Sequence, residues 1–412
     1  MAPRFSALTR HEGRRRNQLL LRRCAAGLVA LDRFHDRSAP ITARYRRVAL
    51  PPSLGGAEGW LLPPARDPWE GVIPPARRPD RQEGYRGARL AHVLDLRWRV
   101  VPTEERGVSL DVASLDPEVA EVLEARVPHL RLGLASPFQG LRYRFASRPG
   151  ARTPKWGTPY RFTALCDEDR EPARAALARI LARCRDEGVD LLCLPELTLD
   201  AGLLTDLRAL LAAHRLGKHP ALVIAGSLHE GEPPDCMNRA RVLDWAGRDL
   251  WCHEKCSRFS LTPRETAHLD PALRTAIGLD EDGGAEDIRL GQTLTLRDGP
   301  LGRMGLVICL DHLDTRLRAL FELSGVDSLF VPAMSPATAD FERTVEDLAR
   351  DAHTASFVVN SAWLVAQLPP EQRDQVFLAL ARLPARVAAY RRTLGEELHV
   401  FTIRELLCAD DR

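Results

Sequence analysis

The sequence predicts an α/β layered fold from about residue 156 onward, on three observations. Short apolar runs alternate with stretches of helical periodicity. The run Val189 to Leu194 reads as a buried strand that stops at Pro195. Two further runs, Val242 to Trp245 and Asp249 to His253, read as a hairpin joined by Ala246-Gly247. Strands alternating with helices in one chain favour layers of sheet and helix.

Each element follows from its pattern. Tyr160 to Cys166 reads as a strand. Glu171 to Glu187 carries Ala175, Ala176, Ile180 and Leu181 at helical spacing and reads as a helix, as does Leu203 to Ala213. Ala221 to Ala225 is a strand. Met304 to Cys309 is a strand, Thr315 to Leu323 a helix, Ser328 to Val331 a strand, Phe341 to His353 a helix and Ser356 to Asn360 a strand. Residues 369–395 read as helical, with a late strand from His399 to Ile403. Ahead of these lie three segments of different character. Residues 1–50 form a basic arm of mostly helical pattern. Residues 51–85 are proline-rich, as a linker or wrapping segment would be, and residues 86–155 hold short alternating runs that make a β-rich extension.

Composition narrows the class. The chain has 412 residues, 45% of them hydrophobic and 28% charged, which suits a globular protein with a sizeable core. No apolar run reaches the roughly 18 residues of a spanning helix. Arg22 and Arg23 break the run Leu19-Leu20-Leu21, so the start does not read as an export signal, and the cytoplasm is the expected location. Nine cysteines, an odd number spread thinly, suit reduced thiols rather than a disulfide framework. The net charge of +2 hides an asymmetry, because residues 1–50 hold twelve arginines against Glu12, Asp32 and Asp36. Such an arm suits nucleic acid or another acidic partner, although a solvated helix face explains it as simply. The 58 basic residues comprise 55 arginines and only Lys155, Lys218 and Lys255. A lysine retained in so arginine-rich a chain draws notice, because an ammonium is a compact charge that guanidinium does not replace.

Three residues stand at strand ends. Glu196 follows Leu194-Pro195, where an α/β sheet places its sites, although a carboxylate there also suits a helix N-terminus. Lys255 ends the second hairpin strand, where a surface ion pair is the plainer reading. Cys309 closes Met304 to Ile308 and precedes a helix, a setting that favours thiolate; a buried structural cysteine is the alternative.

Taken together, these segments resemble the carbon–nitrogen hydrolase (nitrilase) superfamily in order and spacing. The matching blocks are Asp190 to Leu197 around Glu196, then Asn238-Arg239-Ala240, Leu243-Asp244, Gly247 and Lys255, then Gly305 to Asp311 around Cys309. Arg318, Gly325, Val326-Asp327, Val331-Pro332-Ala333 and Asn360 continue the match. The resemblance spans residues 156–362 and implies a four-layer α-β-β-α sandwich over 156–412. It also implies a Glu196–Lys255–Cys309 catalytic triad, an amide-type substrate, no metal or organic cofactor, and a homodimer. It further implies supporting roles for Asn238, Asp311, the Leu310 backbone N–H as an oxyanion donor, and Glu265 as a second glutamate near the nucleophile. Leu310 departs from the aromatic residue usual after the cysteine, and the family's glycine-rich strand pair after Asn360 is not visible.

Three other readings compete. Acyl transfer to an amine would use the same triad. A nitrilase-like binding module, resembling partners of bacterial reverse transcriptases in defence systems, would suit the basic arm. A zinc site drawn from Cys236, Cys252, His253 and Cys256 lacks paired ligand spacings.

Overall fold

The computed structural model describes residues 46–49, 58–62, 99–102, 104–105, 107–127, 129–148, 157–213, 217–268, 271–279, 281–384, 390–393 and 396–408. Most of the basic arm and of the proline-rich segment therefore lies outside the described residues. The chain divides into two compact units, residues 1–64 with 81–102, and residues 65–80 with 103–412. In the first, β1 (Arg46–Ala49), β2 (Glu58–Leu62) and β3 (Arg99–Pro102) form an antiparallel three-stranded sheet in that order.

The second unit holds the candidate site. In chain order it contains β4 (Glu104–Glu105), β5 (Val108–Ser114), α1 (Pro117–Glu124), β6 (Arg131–Ala135), β7 (Tyr143–Ser147), β8 (Thr158–Leu165), α2 (Arg170–Asp186), β9 (Leu191–Cys193) and α3 (Ala201–Ala213). There follow β10 (Leu222–Glu230), β11 (Met237–Asp244), β12 (Asp249–Glu254), β13 (Ser260–Leu261), α4 (Pro263–His268), α5 (Pro271–Ile277), β14 (Gly284–Glu286), β15 (Thr293–Gly299) and β16 (Gly302–Leu306). Last come α6 (Thr315–Ser324), β17 (Ser328–Ala333), α7 (Ala339–Asp347), β18 (Ala355–Asn360), α8 (Ala362–Ala366), α9 (Pro370–Arg373), β19 (Ala379–Arg382), β20 (Tyr390–Arg392), β21 (Leu398–Thr402) and α10 (Ile403–Cys408).

Two large sheets organise this unit. One runs β12-β11-β10-β9-β6-β21, with β9 parallel to both β6 and β10. The other runs β20-β19-β18-β17-β16-β15-β5-β4, with β16, β17 and β18 mutually parallel. The sheets meet through β6 against β18 and β12 against β15. Helices α2 and α3 pack against each other over the first sheet, where Leu177, Ile180, Leu181, Leu203, Leu207 and Leu211 join Leu192, Leu194 and Val223 in one buried cluster. Each such leucine contributes about 1.5–3 kcal/mol by leaving water. Helix α6 contacts β5 and α7 contacts β19 of the second sheet. This is an α/β sandwich of helix, sheet, sheet and helix layers. Strands buried on both faces have no polar side to alternate, so β17 and β18 are buried at every residue.

The structure departs from the sequence reading in several places. Arg46–Ala49, within the arm read as mostly helical, and Glu58–Leu62, within the proline-rich segment, are paired strands. The β-rich segment before residue 156 supplies strands to both large sheets: Ser109 pairs with Thr293, and β6 lies between β9 and β21. Partners so distant in sequence leave no local signature. Among the described residues of the stretch 369–395, α9 alone is helical; β19 and β20 extend the second sheet, with Leu380 paired to Val358 and to Arg391. The helical propensity of an Ala-, Leu- and Arg-rich stretch yields there to an open sheet edge that needs hydrogen-bond partners. No described helix is long and apolar enough to cross a membrane.

Candidate active site

Glu196 is placed by a strand end and a glycine. Beyond β9 the Leu194 N–H still donates to Ile224 O at 2.9 Å, and then the chain turns at Pro195. Opposite, β10 bulges between Ile224 and Ser227, with Gly226 at φ +67°. A Cβ on Gly226 would lie 2.1 Å from Pro195 O, so only glycine admits this approach. Ser227 completes the clasp: its N–H reaches Pro195 O at 3.3 Å, and its hydroxyl accepts from Leu197 N at 3.2 Å.

Lys255 follows β12. Its N–H donates to Asn238 O at 2.9 Å, and its carbonyl accepts from Gly291 N at 2.8 Å. Cys309 follows β16 and begins the 3-10 turn Cys309–Leu313 with φ +49°, an uncommon backbone for a residue bearing a side chain. Asp311, fully buried, ties the two loops together. It accepts from Cys256 N at 3.0 Å and Ile308 N at 3.3 Å, and its Oδ2 lies 3.0 Å from His253 Nε2.

The side chains then meet. Lys255 Nζ donates to Glu196 Oε1 and to Glu286 Oε2, each at 2.7 Å. Asn238 Nδ2 bridges the same carboxylates, at 2.9 Å from Glu196 Oε1 and 3.1 Å from Glu286 Oε1. Phe259 N donates to Glu286 Oε2 at 2.9 Å. The Cys309 thiol is buried beside these groups, close enough for the charges of Glu196 and Lys255 to act on it. Glu196, Asn238, Lys255, Glu286 and Cys309 are each at most 3% exposed.

Electrostatics fix the protonation pattern. Burial raises the Glu196 carboxyl above its ordinary value, more than the Lys255 charge lowers it. Burial also works against the Lys255 ammonium, but Glu196 and Glu286 outweigh it and hold the amine well above the usual lysine value. Glu286 goes the other way: its burial is overcome by Lys255 and by His229, so it stays a carboxylate well below the usual range. Burial and then Glu196 push the Cys309 thiol well up. Two carboxylates already face one ammonium, so a thiolate would add a second uncompensated charge. Cys309 therefore rests as a thiol, contrary to the thiolate expected from its position at a turn.

The structure brings together Glu196, Lys255, Cys309 and Asn238, with Asp311 bracing the loops and Leu310 half-buried beside Cys309. It does not bring Glu265, which is exposed and accepts from Thr262 N and Thr262 Oγ1 at 2.8 Å at the start of α4. The second carboxylate beside Lys255 is that of Glu286, which the sequence reading missed. The available signal was its glycine-rich approach: Gly283 has φ +92°, and a Cβ on Gly284 would fall 2.2 Å from Leu279 Cδ2. Among the described residues, His253, Cys256 and Asp311 have donor atoms close enough together to hold a metal ion, within 4.8 Å. Cys236 and Cys252 of the sequence-derived zinc set are not in that group, and its Asp311 oxygens are occupied by the backbone and His253 bonds above.

No family model and no curated relative matches the chain. Among solved structures it is similar to Saccharomyces cerevisiae Nit3, of the nitrilase superfamily, at 14% identity and TM-score 0.42, covering 68% of this chain and 92% of that one. It is similar to an amidase from Nesterenkonia sp. at 14% identity and TM-score 0.43, covering 69% and 93%. It is also similar to the C. elegans NitFhit protein at 16% identity and TM-score 0.44, covering 68% and 62%.

Proposed function

We propose that this protein hydrolyses a non-peptide carbon–nitrogen bond, of amide type, through a thioester on Cys309. The observation that carries this reading is the buried Lys255 ammonium held 2.7 Å from both Glu196 and Glu286, beside an equally buried thiol, Cys309, on which the Glu196 charge acts. Glu196 accepts the Cys309 proton as sulfur forms its bond to the carbonyl carbon. The oxyanion is stabilised by Lys255 Nζ and the Leu310 N–H, each such donor being worth about 3 kcal/mol. The tetrahedral intermediate collapses, the C–N bond breaks, and Glu196 returns the proton to the departing amine. Water then attacks the thioester carbon while Glu196 takes its proton. The acid leaves, and the proton passes back to sulfur. Glu286 and Asn238 keep Lys255 charged and aimed. On this reading the protein is a homodimer, and light scattering returns twice the 45.9 kDa chain mass.

The test is alkylation of Cys309 by iodoacetamide across pH, followed by peptide mass spectrometry. A raised thiol with a carboxylate base beside it gives a two-step profile. The first step tracks ionisation of Glu196, above the ordinary glutamate value of 4.5, and the second tracks the thiol itself. Glu196→Gln removes the first step. A profile identical in wild type, Glu196→Gln and Lys255→Met sinks the hydrolase reading. A panel of small amides then seeks turnover that Cys309→Ala abolishes.

A further inference from the structure

His229 belongs to β10, its side chain is fully buried, and the proposed reaction assigns it no role. Its surroundings fix its tautomer. The backbone N–H of Phe162 in β8 points at His229 Nδ1 from 2.9 Å, and a backbone N–H only donates. Nδ1 is therefore the bare nitrogen, and the ring proton is on Nε2. That nitrogen lies 3.3 Å from Glu286 Oε1, so the imidazole donates to the carboxylate.

The remaining bonds of Glu286 show what this donor is for. Oε2 takes Lys255 Nζ and Phe259 N, whereas Oε1 takes Asn238 Nδ2 and His229. Lys255 and Asn238 are both shared with Glu196. Without His229, Glu286 would draw more heavily on those two shared donors, and Glu196 would lose part of its compensation. The charged or titratable groups facing this network are Lys255 after β12, Glu196 after β9, Glu286 in β14, Cys309 after β16, and Tyr160 in β8, which pairs in register with Glu286. Burial and Glu286 keep the Tyr160 phenol neutral, well above its usual value.

We propose that His229 is a positioning residue that sets the working pH of the Glu196 base, and that β8 enforces this by presenting the Phe162 N–H to His229 Nδ1. The proposal rests on the hydrolase reading above, and the two fail in different ways. Removing the donor shifts demand for Lys255 toward Glu286, so Glu196 ionises at higher pH. Glutamine at this position offers both an amide oxygen for Phe162 N–H and an N–H for Glu286, so it keeps the relay.

The experiment is the Cys309 alkylation profile in wild type, Glu196→Gln, His229→Leu and His229→Gln. The expected result is a first step that Glu196→Gln removes, His229→Leu moves up by about one pH unit, equivalent to about 1.4 kcal/mol, and His229→Gln returns toward wild type. A first step that Glu196→Gln removes but His229→Leu leaves in place overturns the role of His229 and spares the triad. A profile indifferent to Glu196→Gln overturns both. Should His229→Leu not fold, ¹⁵N long-range spectra of wild type decide. A proton on Nε2 of His229 upholds the relay, and a proton on Nδ1 overturns it.

Discussion

At the scale of single residues, the site depends on one cation serving two buried anions. Removing one partner of such a group leaves charge with neither water nor a counter-ion, and that costs about 3–5 kcal/mol. Lys255→Met is therefore expected to lower the denaturant midpoint severely, because it leaves both Glu196 and Glu286 uncompensated. Cys309→Ala, which removes a neutral thiol, is expected to abolish labelling and turnover while moving the midpoint by about 1 kcal/mol or less. The two glutamates make a sharper pair. Glu265→Ala loosens an exposed turn and leaves the Cys309 alkylation profile unchanged. Glu286→Gln removes one of the two charges on Lys255 and moves the profile. The reverse pattern would reinstate Glu265 as the second glutamate.

At the scale of elements, strand ends and the backbone kinks beside them deliver the reactive groups. Gly226 allows the bulge in β10 to touch Pro195 and so aims Glu196. Gly226→Ala is expected to cost about 1–3 kcal/mol for the left-handed backbone alone, with a further penalty from the clash with a carbonyl that cannot move freely. Urea unfolding measures the cost. Loss of the first alkylation step in the same variant shows that Glu196 has been displaced. A midpoint and profile like wild type would mean that the bulge is dispensable. The four-stranded sheet β13-β14-β8-β7 acts similarly on the other side of the cluster, because β14 carries Glu286 and β8 carries the amide that orients His229.

At the scale of the whole molecule, the buried network couples stability to pH. Glu286 has a folded-state value below its unfolded one. Its contribution is therefore present above about pH 4.5 and is lost as pH falls toward the folded value. Lys255 has a raised folded-state value, so its contribution is present below about pH 10.5 and is lost as pH rises through the folded value. Unfolding free energies of wild type and Glu286→Gln are expected to converge as pH drops below 4.5. A constant gap down to acid pH would show that Glu286 is not held ionised. Taken singly, Glu196, Lys255 and Cys309 carried weak signals in the sequence, and only the joint resemblance of their three blocks to one superfamily singled them out before any coordinates. Local patterns of two to six residues carry that information. By themselves these patterns also determined the order of most elements in the sandwich. Only the tertiary structure decided that β4, β5 and β6 belong to the two large sheets, that β19 and β20 pair as strands, that Glu286 and not Glu265 lies in the cluster, and that Cys309 rests as a thiol. The reason is physical: strand partners distant in sequence, and the charge balance of a dry cluster, depend on which groups are neighbours in space, and nothing local to a residue encodes that.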